Sequence, residues 1–360
     1  MTLSTTAPPG ATPGEVAAPG EVAGVRGEVR QSMLRMLHAS LVTQAVAVAA
    51  ELGLADLTAG GPRRVEELAT DTGTDPDALH RLLRALASQG VFTEVAPRTY
   101  GGTALSDALR DGVEGSLRNW ARLWGDTQRH AALGGLLHSV RTGEPAFAHL
   151  HGADWWSRLA EDPARAAVFA AAMGDLSREL HAATVEAHDL RGVRSLVDVG
   201  GGRGHLAAAL LRRYPDLKVT VFDRPDVVVH AAEVLSAAGV AGRARLAAGD
   251  FFAEVPAHGQ VYLMSMILHD WDDAQSATIL RNVRRAMGPG DVLLVVDAIL
   301  PAGDTPHDGK LRDLIMLTLH PGRERTEAEF AALLAGAGLR LRESKAVAAS
   351  TGLLVAEVAA

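Results

Sequence analysis

Cysteine is absent from this 360-residue chain. A disulfide framework, a thiolate metal site and a cysteine nucleophile are therefore all excluded. A protein that needs no disulfides fits a reducing compartment, so we expect it to be cytoplasmic. The N-terminus also lacks a basic patch followed by an apolar core, and we find no apolar run of the roughly 20 residues that a bilayer requires. Neither secretion nor membrane insertion is expected.

Lysine is nearly missing, since only Lys218, Lys310 and Lys345 occur, whereas arginine and alanine abound. This bias is typical of a GC-rich bacterial genome. The formal net charge of -8 repels nucleic-acid phosphates and anionic lipids, so neither is an expected partner. With 48% hydrophobic residues, the chain can bury a large core and has room for about two domains. A globular protein that binds a small molecule is the class favoured.

The first third of the chain divides into a tail and a candidate domain. Residues 1–24 are rich in proline, glycine, alanine and threonine, which predicts disorder. Within residues 25–112, helical spacing of apolar residues predicts one helix from Gln31 to Leu54, and a pair of shorter helices follows it. The later helix of that pair opens at Asp75-Pro76-Asp77, and Val91–Tyr100 predicts a β-hairpin. The order is that of a winged helix.

Winged helices often bind DNA, but the charge of this segment argues against that role. Between Glu28 and Asp111 the acidic residues outnumber the basic ones, and the helix in the recognition position offers only Arg81 and Arg84. Attraction to phosphate would be weak. We therefore favour a structural or dimer-forming module over a winged-helix regulator that senses a nucleotide-like ligand.

In the rest of the chain, the sequence pattern changes at about residue 190. Residues 113–190 are helical in pattern and form a connector, whereas in residues 191–360 short β-rich runs alternate with helical stretches. Such alternation predicts an α/β domain with a mostly parallel sheet and helices on both faces. The predicted strands are Ser195–Val199, Lys218–Phe222, Gln260–Met264, Val292–Val296 and a late pair near Leu339–Arg342 and Leu353–Val358.

A glycine-rich loop follows the first of these strands, where α/β folds bind nucleotides. The loop reads Asp198-Val-Gly200-Gly-Gly202-Arg-Gly204. It lacks the Gly-Lys-Ser/Thr ending of an ATP-binding Walker loop, and His205 stands where the dinucleotide fingerprint needs its last glycine. The pattern is instead typical of class I methyltransferases, which bind S-adenosylmethionine. NAD remains the weaker alternative.

Polar and aromatic residues follow the next two strands. Asp223 ends the second strand, where a carboxylate can accept hydrogen bonds from both ribose hydroxyls. Asp250 and Phe251 follow the presumed third strand, where a carboxylate and an aromatic face would meet an adenine. Each has an ordinary alternative, since Asp223 can cap its loop and Phe251 can belong to the core.

The fourth strand runs into Ser265-Met-Ile-Leu-His269-Asp270-Trp-Asp-Asp. A histidine, with an ordinary pKa near 6.5, can take the proton of a phenol, with a pKa near 10, while the oxygen attacks a methyl group. His269 is therefore the candidate general base, against the alternative of a structural histidine. Asp270 is either its partner or the N-cap of the following helix.

From about Gln31 to Val358 the chain resembles the small-molecule O-methyltransferases typified by plant caffeic acid and flavonoid enzymes and by bacterial polyketide-tailoring enzymes. The resemblance is carried by VDVGGGRG, FDRPDVV, GDFF, LHDWDD, VVDAILP and GRERTEAEF. It implies a Rossmann-like class I methyltransferase domain and an N-terminal winged-helix domain that forms a homodimer. It also implies S-adenosylmethionine as the methyl donor, with S-adenosylhomocysteine as product.

The resemblance further assigns residues to roles. It makes His269 the general base, places Asp297 and Glu324 beside it, and assigns Ser177 and Ser265 to the cofactor. Its acceptor pocket corresponds to Phe169, Met173, Met266, Met316 and His320. The sequence departs from the family where aspartate replaces the common glutamate at Asp297, where the plant lysine is Ser265, and where His320–Arg323 is one residue short.

The expected reaction is methylation of a hydroxyl on a small aromatic natural product, either a phenolic compound or an aromatic polyketide. The alternatives are a relative that keeps the cofactor but catalyses hydroxylation or decarboxylation, and a carbon or nitrogen methyltransferase. No metal is expected, because the histidines and carboxylates do not gather at short ligand spacings in the sequence.

Overall fold

A computed structural model describes residues 19–348 and 350–359 of the chain, and its side chains from residue 26 onward. The chain divides into two compact units, residues 1–107 and 108–360. Residues 1–18 of the expected disordered tail lie outside the described residues. From Pro19 the chain is helical, so the first helix starts before the predicted Gln31. The finer division at residues 24, 112 and 190 stays a prediction.

The first unit contains five helices and a three-stranded antiparallel sheet of order β1-β3-β2 in its described part. Its elements are α1 (Pro19–Glu51), α2 (Leu54–Thr58), β1 (Arg63–Arg64), α3 (Val65–Thr72), α4 (Pro76–Ser88), β2 (Phe92–Ala96), β3 (Thr99–Gly102) and α5 (Ala104–Asp107). The Asp75 carboxylate accepts from the Asp77 and Ala78 backbone N–H groups at 3.0 and 2.8 Å, which starts α4 as predicted. The helix pair and hairpin give the winged-helix order.

Helix α1 carries an exposed apolar face. The exposed side chains include Val29, Met33, Met36, Leu37 and Leu41. By length and composition, Arg26–Glu51 is apolar enough to cross a membrane, although its apolar residues do not form one uninterrupted run. Its alanine, valine and leucine residues are interspersed with polar ones, and a face of this kind also suits a second protein chain.

Six helices precede the sheet of the second unit. They are α6 (Arg118–Trp124), α7 (Thr127–Gly134), α8 (Leu136–Thr142), α9 (Ala146–His151), α10 (Trp155–Glu161) and α11 (Pro163–Ala187). Aspartates start three of them, because Asp126, Asp154 and Asp162 each accept a backbone N–H of the first turn. The helices α6, α7, α9, α10 and α11 contribute to an aromatic cluster built around Phe147 and Trp155.

The sheet that follows is mixed and eight-stranded, with seven strands in the order β10-β11-β8-β7-β4-β5-β6 and a short β9 beside β8. Its strands are β4 (Ser195–Val199), β5 (Lys218–Asp223), β6 (Ala244–Ala248), β7 (Val261–Ser265), β8 (Val292–Leu300), β9 (Arg325–Thr326), β10 (Leu339–Ala348) and β11 (Thr351–Val358). Strands β4 to β8 pair in parallel, and β10 and β11 form an antiparallel edge. This is the predicted α/β class.

Helices cover both faces of this sheet. They are α12 (His205–Arg213), α13 (Pro225–Val228), α14 (Ala231–Ala237), α15 (Asp273–Ala286), α16 (Asp308–Leu319) and α17 (Glu327–Gly336), with 3₁₀ turns at Ala241–Arg243 and Leu268–Asp270. Leu206 and Leu235 bury one face, and Ile279 and Phe330 bury the other. The parallel strands therefore end together at one open edge, where ligands of such folds bind.

Candidate active site

The glycine loop lies at this edge, between β4 and α12. Gly200, Gly202 and Gly204 have φ angles of 75°, 57° and 75°, a left-handed conformation that favours glycine. The Gly200 N–H donates to the Phe222 carbonyl at 2.8 Å, which ties the loop to the end of β5. A Cβ at Gly200 would overlap the Ile267 side chain, so the loop passes directly against the segment that leads to His269.

Asp198 lies beneath the loop and is 2% exposed. Its Oδ2 is buried without a hydrogen-bond partner among the described residues, and a Cβ at Gly201 would stand only 2.7 Å from it. Burial, followed by repulsion from Asp223, raises the pKa of Asp198 to about 7. This carboxyl is therefore poised to gain a donor from a ligand, or to hold a proton without one.

The residues expected to contact a nucleoside surround the same loop. Asp223 Oδ2 accepts from the Gly202 N–H at 2.8 Å, and burial chiefly raises the pKa of this carboxyl. Asp250 Oδ1 accepts from the Phe252 N–H at 2.8 Å, so its carboxylate also shapes its own turn. The Phe251 ring lies near the position that a Gly200 Cβ would occupy, at 3.8 Å. Asp223 and Phe251 thus lie beside the loop, and Asp250 directly precedes Phe251.

The turn that carries His269 is held by features that the sequence analysis missed. Met266 adopts a φ of 55°, rare for a residue with a side chain, and so redirects the chain at the end of β7. Arg325, 1% exposed, donates to the Leu268 and Trp271 carbonyls at 2.9 Å each. Its guanidinium also pairs with Asp273 at 2.8 Å. In the sequence, Arg325 stands out only as part of the GRERT motif.

Three carboxylates surround the His269 imidazole. Nδ1 lies 3.3 Å from Glu324 Oε1 and 3.6 Å from Asp297 Oδ1, and Nε2 lies 3.6 Å from Asp270 Oδ1. The His269 backbone N–H donates to Asp297 Oδ2 at 3.2 Å. Asp272, not Asp270, is the N-cap of α15, which leaves the Asp270 carboxylate beside the imidazole. The two residues placed beside His269 by resemblance therefore do lie there.

These carboxylates decide the protonation of the imidazole. Burial by itself lowers the pKa of His269, but Asp297, Asp270 and Glu324 together outweigh burial and raise that pKa to about 10. Burial also raises the pKa of Asp297, to about 6, against the attraction of His269. The neighbouring carboxylates therefore favour the protonated form of the imidazole.

The same cluster is a possible ligand set for a metal. One nitrogen of His269 and one oxygen each from Asp297 and Glu324 lie within 4.8 Å of one another. The spacing of these residues along the chain does not predict a metal site, because they are far apart in sequence and meet only in the folded sheet. Asp297 and Glu324 are nearly fully buried and already face the imidazole.

Four of the five expected acceptor residues meet in the aromatic cluster. Phe169, Met173 and Met316 pack against it, and the His320 ring stacks on Trp156 with centroids 5.1 Å apart. Met266 instead packs against the sheet core on the α12 side. Trp155 and Trp156 both contact Phe169, with ring centroids 5.9 and 5.6 Å away.

The two expected serines lie on different elements. Ser265 ends β7, directly before Met266, and is half-buried at the open edge of the sheet. Ser177 lies on α11, the helix that packs against α12. Ser177 is half-buried as well.

Gly322 lies in the stretch that is one residue shorter than in the family, and it contacts the backbone of the turn that carries His269. A Cβ there would overlap the His269 carbonyl oxygen. We expect Gly322→Ala to lower the free energy of unfolding by about 1–3 kcal/mol, as overpacking does, and to displace His269. Gly134→Ala is the control, because a Cβ there meets nothing within 4 Å. Equal melting temperatures for the two variants would contradict this prediction.

Fold and site together define a methyltransferase of the Rossmann-like type, and the chain belongs to the O-methyltransferase family. Residues 134–340 match the O-methyltransferase domain and residues 34–111 match the O-methyltransferase dimerisation domain. The chain is 42% identical over 325 residues to a phenazine O-methyltransferase of Lysobacter antibioticus, covering 90% of this chain and 94% of the relative.

Solved structures agree. A mitomycin 7-O-methyltransferase superposes with a TM-score of 0.89 at 36% identity, covering 94% of this chain and 100% of that one. An O-methyltransferase from neocarzinostatin biosynthesis, solved with S-adenosylmethionine and 2-hydroxy-5-methyl naphthoic acid, gives a TM-score of 0.78 at 36% identity, covering 88% and 95%.

Relatives with other reactions are nearly as similar. An aclacinomycin 10-hydroxylase of Streptomyces purpurascens is 36% identical over 93% of this chain and 91% of its own length. An 8-amino-8-demethylriboflavin N,N-dimethyltransferase of Streptomyces davaonensis is 36% identical over 80% and 84%. The family alone therefore does not fix the atom that receives the methyl group.

Proposed function

We propose that this enzyme transfers the methyl group of S-adenosylmethionine to a hydroxyl of a small aromatic natural product, with His269 as the general base. The observation that carries the proposal is the position of the imidazole. It is held by Asp297 and Glu324 at the end of β7, and Ile267, two residues before it, lies against the glycine loop at Gly200. A base and a nucleoside loop thus share one edge of the sheet.

The residues around the loop fit S-adenosylmethionine. The buried Asp198 Oδ2 lacks a donor among the described residues, and a Cβ at Gly202 would meet nothing within 4 Å, so the loop backbone there is open to close approach. Asp223 suits the ribose hydroxyls, and Asp250 and Phe251 suit the adenine. Ser177 and Ser265 would complete the site by hydroxyl contacts. When bound, S-adenosylmethionine supplies an activated methyl group, whose bond to sulfur breaks as the new bond to oxygen forms, leaving S-adenosylhomocysteine.

His269 can remove the hydroxyl proton through Nε2. Its Nδ1 faces Glu324 and Asp297, so the neutral imidazole keeps its proton on Nδ1 and presents the Nε2 lone pair. A base with a pKa of about 10 matches the pKa of a phenol, which favours proton transfer as the oxygen attacks. The carboxylates then stabilise the imidazolium that forms.

The acceptor would lie against the aromatic cluster built around Phe147 and Trp155. Phe169, Met173, Met316 and His320 provide flat or adaptable apolar surfaces. One solved relative was crystallised with a hydroxylated naphthoic acid, which supports a phenolic acceptor of similar size. An aromatic polyketide or another phenolic compound fits this surface.

We also infer a cytoplasmic homodimer that binds neither nucleic acid nor membrane. The exposed apolar face of α1 overlaps the match to the dimerisation domain at residues 34–111. We therefore expect a second copy of the chain to bury this face. Light scattering of the purified protein should give twice the mass of 37.7 kDa. A monomeric mass would reject this assembly.

Transfer of labelled methyl groups tests the proposed reaction. Purified protein is incubated with methyl-labelled S-adenosylmethionine and a panel of phenols, anilines and activated aromatic carbons of one to three rings. Label on oxygen is the expected result. Label only on nitrogen or carbon, or an unlabelled hydroxylated or decarboxylated product, would overturn O-methylation in favour of the corresponding alternative.

The metal question has its own prediction. Asp297 and Glu324 serve the imidazole in the proposed mechanism, so activity should not depend on a metal. We expect treatment with about 10 mM EDTA, followed by gel filtration, to leave turnover within about twofold of that of the untreated enzyme. Loss of activity that Mg²⁺, Mn²⁺ or Zn²⁺ restores would assign the cluster to a metal instead.

A further inference from the structure

Arg129 is a buried cation that the proposed mechanism does not use. It lies on α7 and is 4% exposed, and its guanidinium carbon stands 4.4 Å from the Trp124 ring centroid and 5.5 Å from that of Trp120. Its Nη1 is buried without a hydrogen-bond partner among the described residues. Stacking on indoles offsets part of the desolvation of a guanidinium but satisfies none of its N–H groups.

No carboxylate of the described chain pairs with this guanidinium. Asp126 is the acidic residue that acts on it, but Asp126 Oδ2 accepts from Arg165 Nε at 2.7 Å. The other oxygen, Oδ1, accepts from the Arg129 backbone N–H at 2.8 Å. Burial lowers the pKa of Arg129 to about 10, which still leaves it charged at neutral pH. Within the described residues, the carboxylate that acts on this buried guanidinium is thus already bound to Arg165.

A second buried donor lacks an acceptor in the same aromatic cluster. Trp155 is 1% exposed, and its Nε1 has no hydrogen-bond partner among the described residues. The ring lies 5.9 Å from Phe169, and Trp120 and Trp124, on which Arg129 stacks, pack against the same cluster. Buried donors are nearly always paired, so two unpaired donors in one cluster indicate a missing acceptor group.

Packing and electrostatics both connect Arg129 to the end of the cluster near His269. Helix α7, which carries Arg129, packs against α16, and His320 is the C-cap of α16. Burial lowers the pKa of His320, Asp270 opposes this, and the positive charges of His269 and Arg129 lower it further. His320 is thus within electrostatic reach of both cations, and its own ring stacks on Trp156. A flat ligand among these side chains would have the imidazole of His269 on one side and the guanidinium of Arg129 on another.

The geometry points to an acceptor that carries a carboxylate on its aromatic ring, with that carboxylate paired to the Arg129 guanidinium while the hydroxyl faces His269. This specificity rests on the proposed function, whose reacting hydroxyl it takes as given. A carboxylate only accepts hydrogen bonds, and its two oxygens match the fork of a guanidinium. A neutral ring substituent would leave the buried charge uncompensated.

Binding rather than turnover tests this inference, so that it can fail separately from the methyl-transfer reaction. Calorimetry measures the Kd of matched pairs with the protein saturated by S-adenosylhomocysteine. Each pair is a hydroxylated aromatic carboxylate and its carboxamide, on benzene, naphthalene and anthracene rings. For at least one ring size, the wild-type protein should bind the carboxylate on the order of 10- to 100-fold more tightly than the carboxamide.

Two substitutions locate the preference. Arg129→Met should reduce the carboxylate to carboxamide ratio to within about twofold, and Arg129→Lys should retain part of it. Arg141→Met removes an exposed arginine of α8 and should leave the ratio unchanged. Equal binding of the two members of every pair by the wild type, binding of neither, or a full preference kept by Arg129→Met would overturn the inference. The wild-type comparison stands even if Arg129→Met does not fold.

Labelled methyl transfer to the same compounds distinguishes a failure of the carboxylate preference from a failure of the proposed function. Methylation of carboxylate and carboxamide at equal kcat/KM would leave the proposed function standing and remove the role of Arg129. Preferential binding of the carboxylate without any methyl transfer would do the reverse.

Discussion

Replacement of His269 by alanine is expected to lower turnover by a factor of about 100 or more, while the Kd for S-adenosylmethionine stays within about threefold of wild type. The loss follows because the group nearest Nε2 in the described cluster is the Asp270 carboxylate, 3.6 Å away, and an ordinary carboxylate is a far weaker base than imidazole. Single-turnover rates and calorimetry of cofactor binding measure the two quantities separately.

The stability of this variant needs a control, because alanine leaves Asp297 and Glu324 buried without the cation they face. Breaking a buried pair in this way costs about 3–5 kcal/mol. His269→Gln is therefore made beside it, since its amide can still donate to Glu324 but cannot act as a base. Both variants should lose turnover when rates are referred to the folded fraction. Turnover near wild type in either folded variant would remove His269 as the base.

The glycine loop shows what local sequence can predict. The left-handed φ angles at Gly200, Gly202 and Gly204 follow from residue type and from the position of the loop after a strand. The start of α4 at Asp75-Pro76 is equally local. Residues close in sequence constrain one another directly, so the loop and the strand β4 were predicted to the residue.

The arrangement around His269 could not be read in the same way. Glu324 and Asp297 reach the imidazole only because β8 lies beside β7 and β9 beside β8. Resemblance named these residues, but neither the distances nor the raised pKa of His269 follows from spacing. The left-handed Met266, the Arg325 clamp and the contact of Gly322 with the His269 carbonyl all depend on packing between distant segments.

The proposed role of Arg129 in acceptor binding could not be predicted from the sequence either. In the sequence it is one arginine among many on an ordinary short helix. Its significance appears only when Trp120 and Trp124 enclose it and Asp126 proves to be paired with Arg165. Charge and burial together, rather than residue type, make it informative.

Turnover should rise about tenfold per pH unit from pH 7 toward the pKa of His269, which is about 10. The sign follows from the reaction, because only neutral imidazole accepts a proton and the neighbouring carboxylates favour the protonated form more strongly than burial disfavours it. Glu324→Gln removes one of those charges. It should move the rising limb to lower pH by about one unit and lower its plateau, since the imidazole becomes a weaker base.

Two comparisons make this profile specific to His269. Glu327→Gln removes the same charge three residues away at an exposed position of α17 and should leave the limb in place. If the pKa of His269 determines the pH at which turnover rises, acceptors with different hydroxyl pKa values should show the rise at the same pH. If the rise instead shifts with the hydroxyl pKa of the acceptor, the phenolate forms before it meets the imidazole. The second result, or an unshifted limb in Glu324→Gln, would mean that the carboxylates position His269 without tuning its proton affinity.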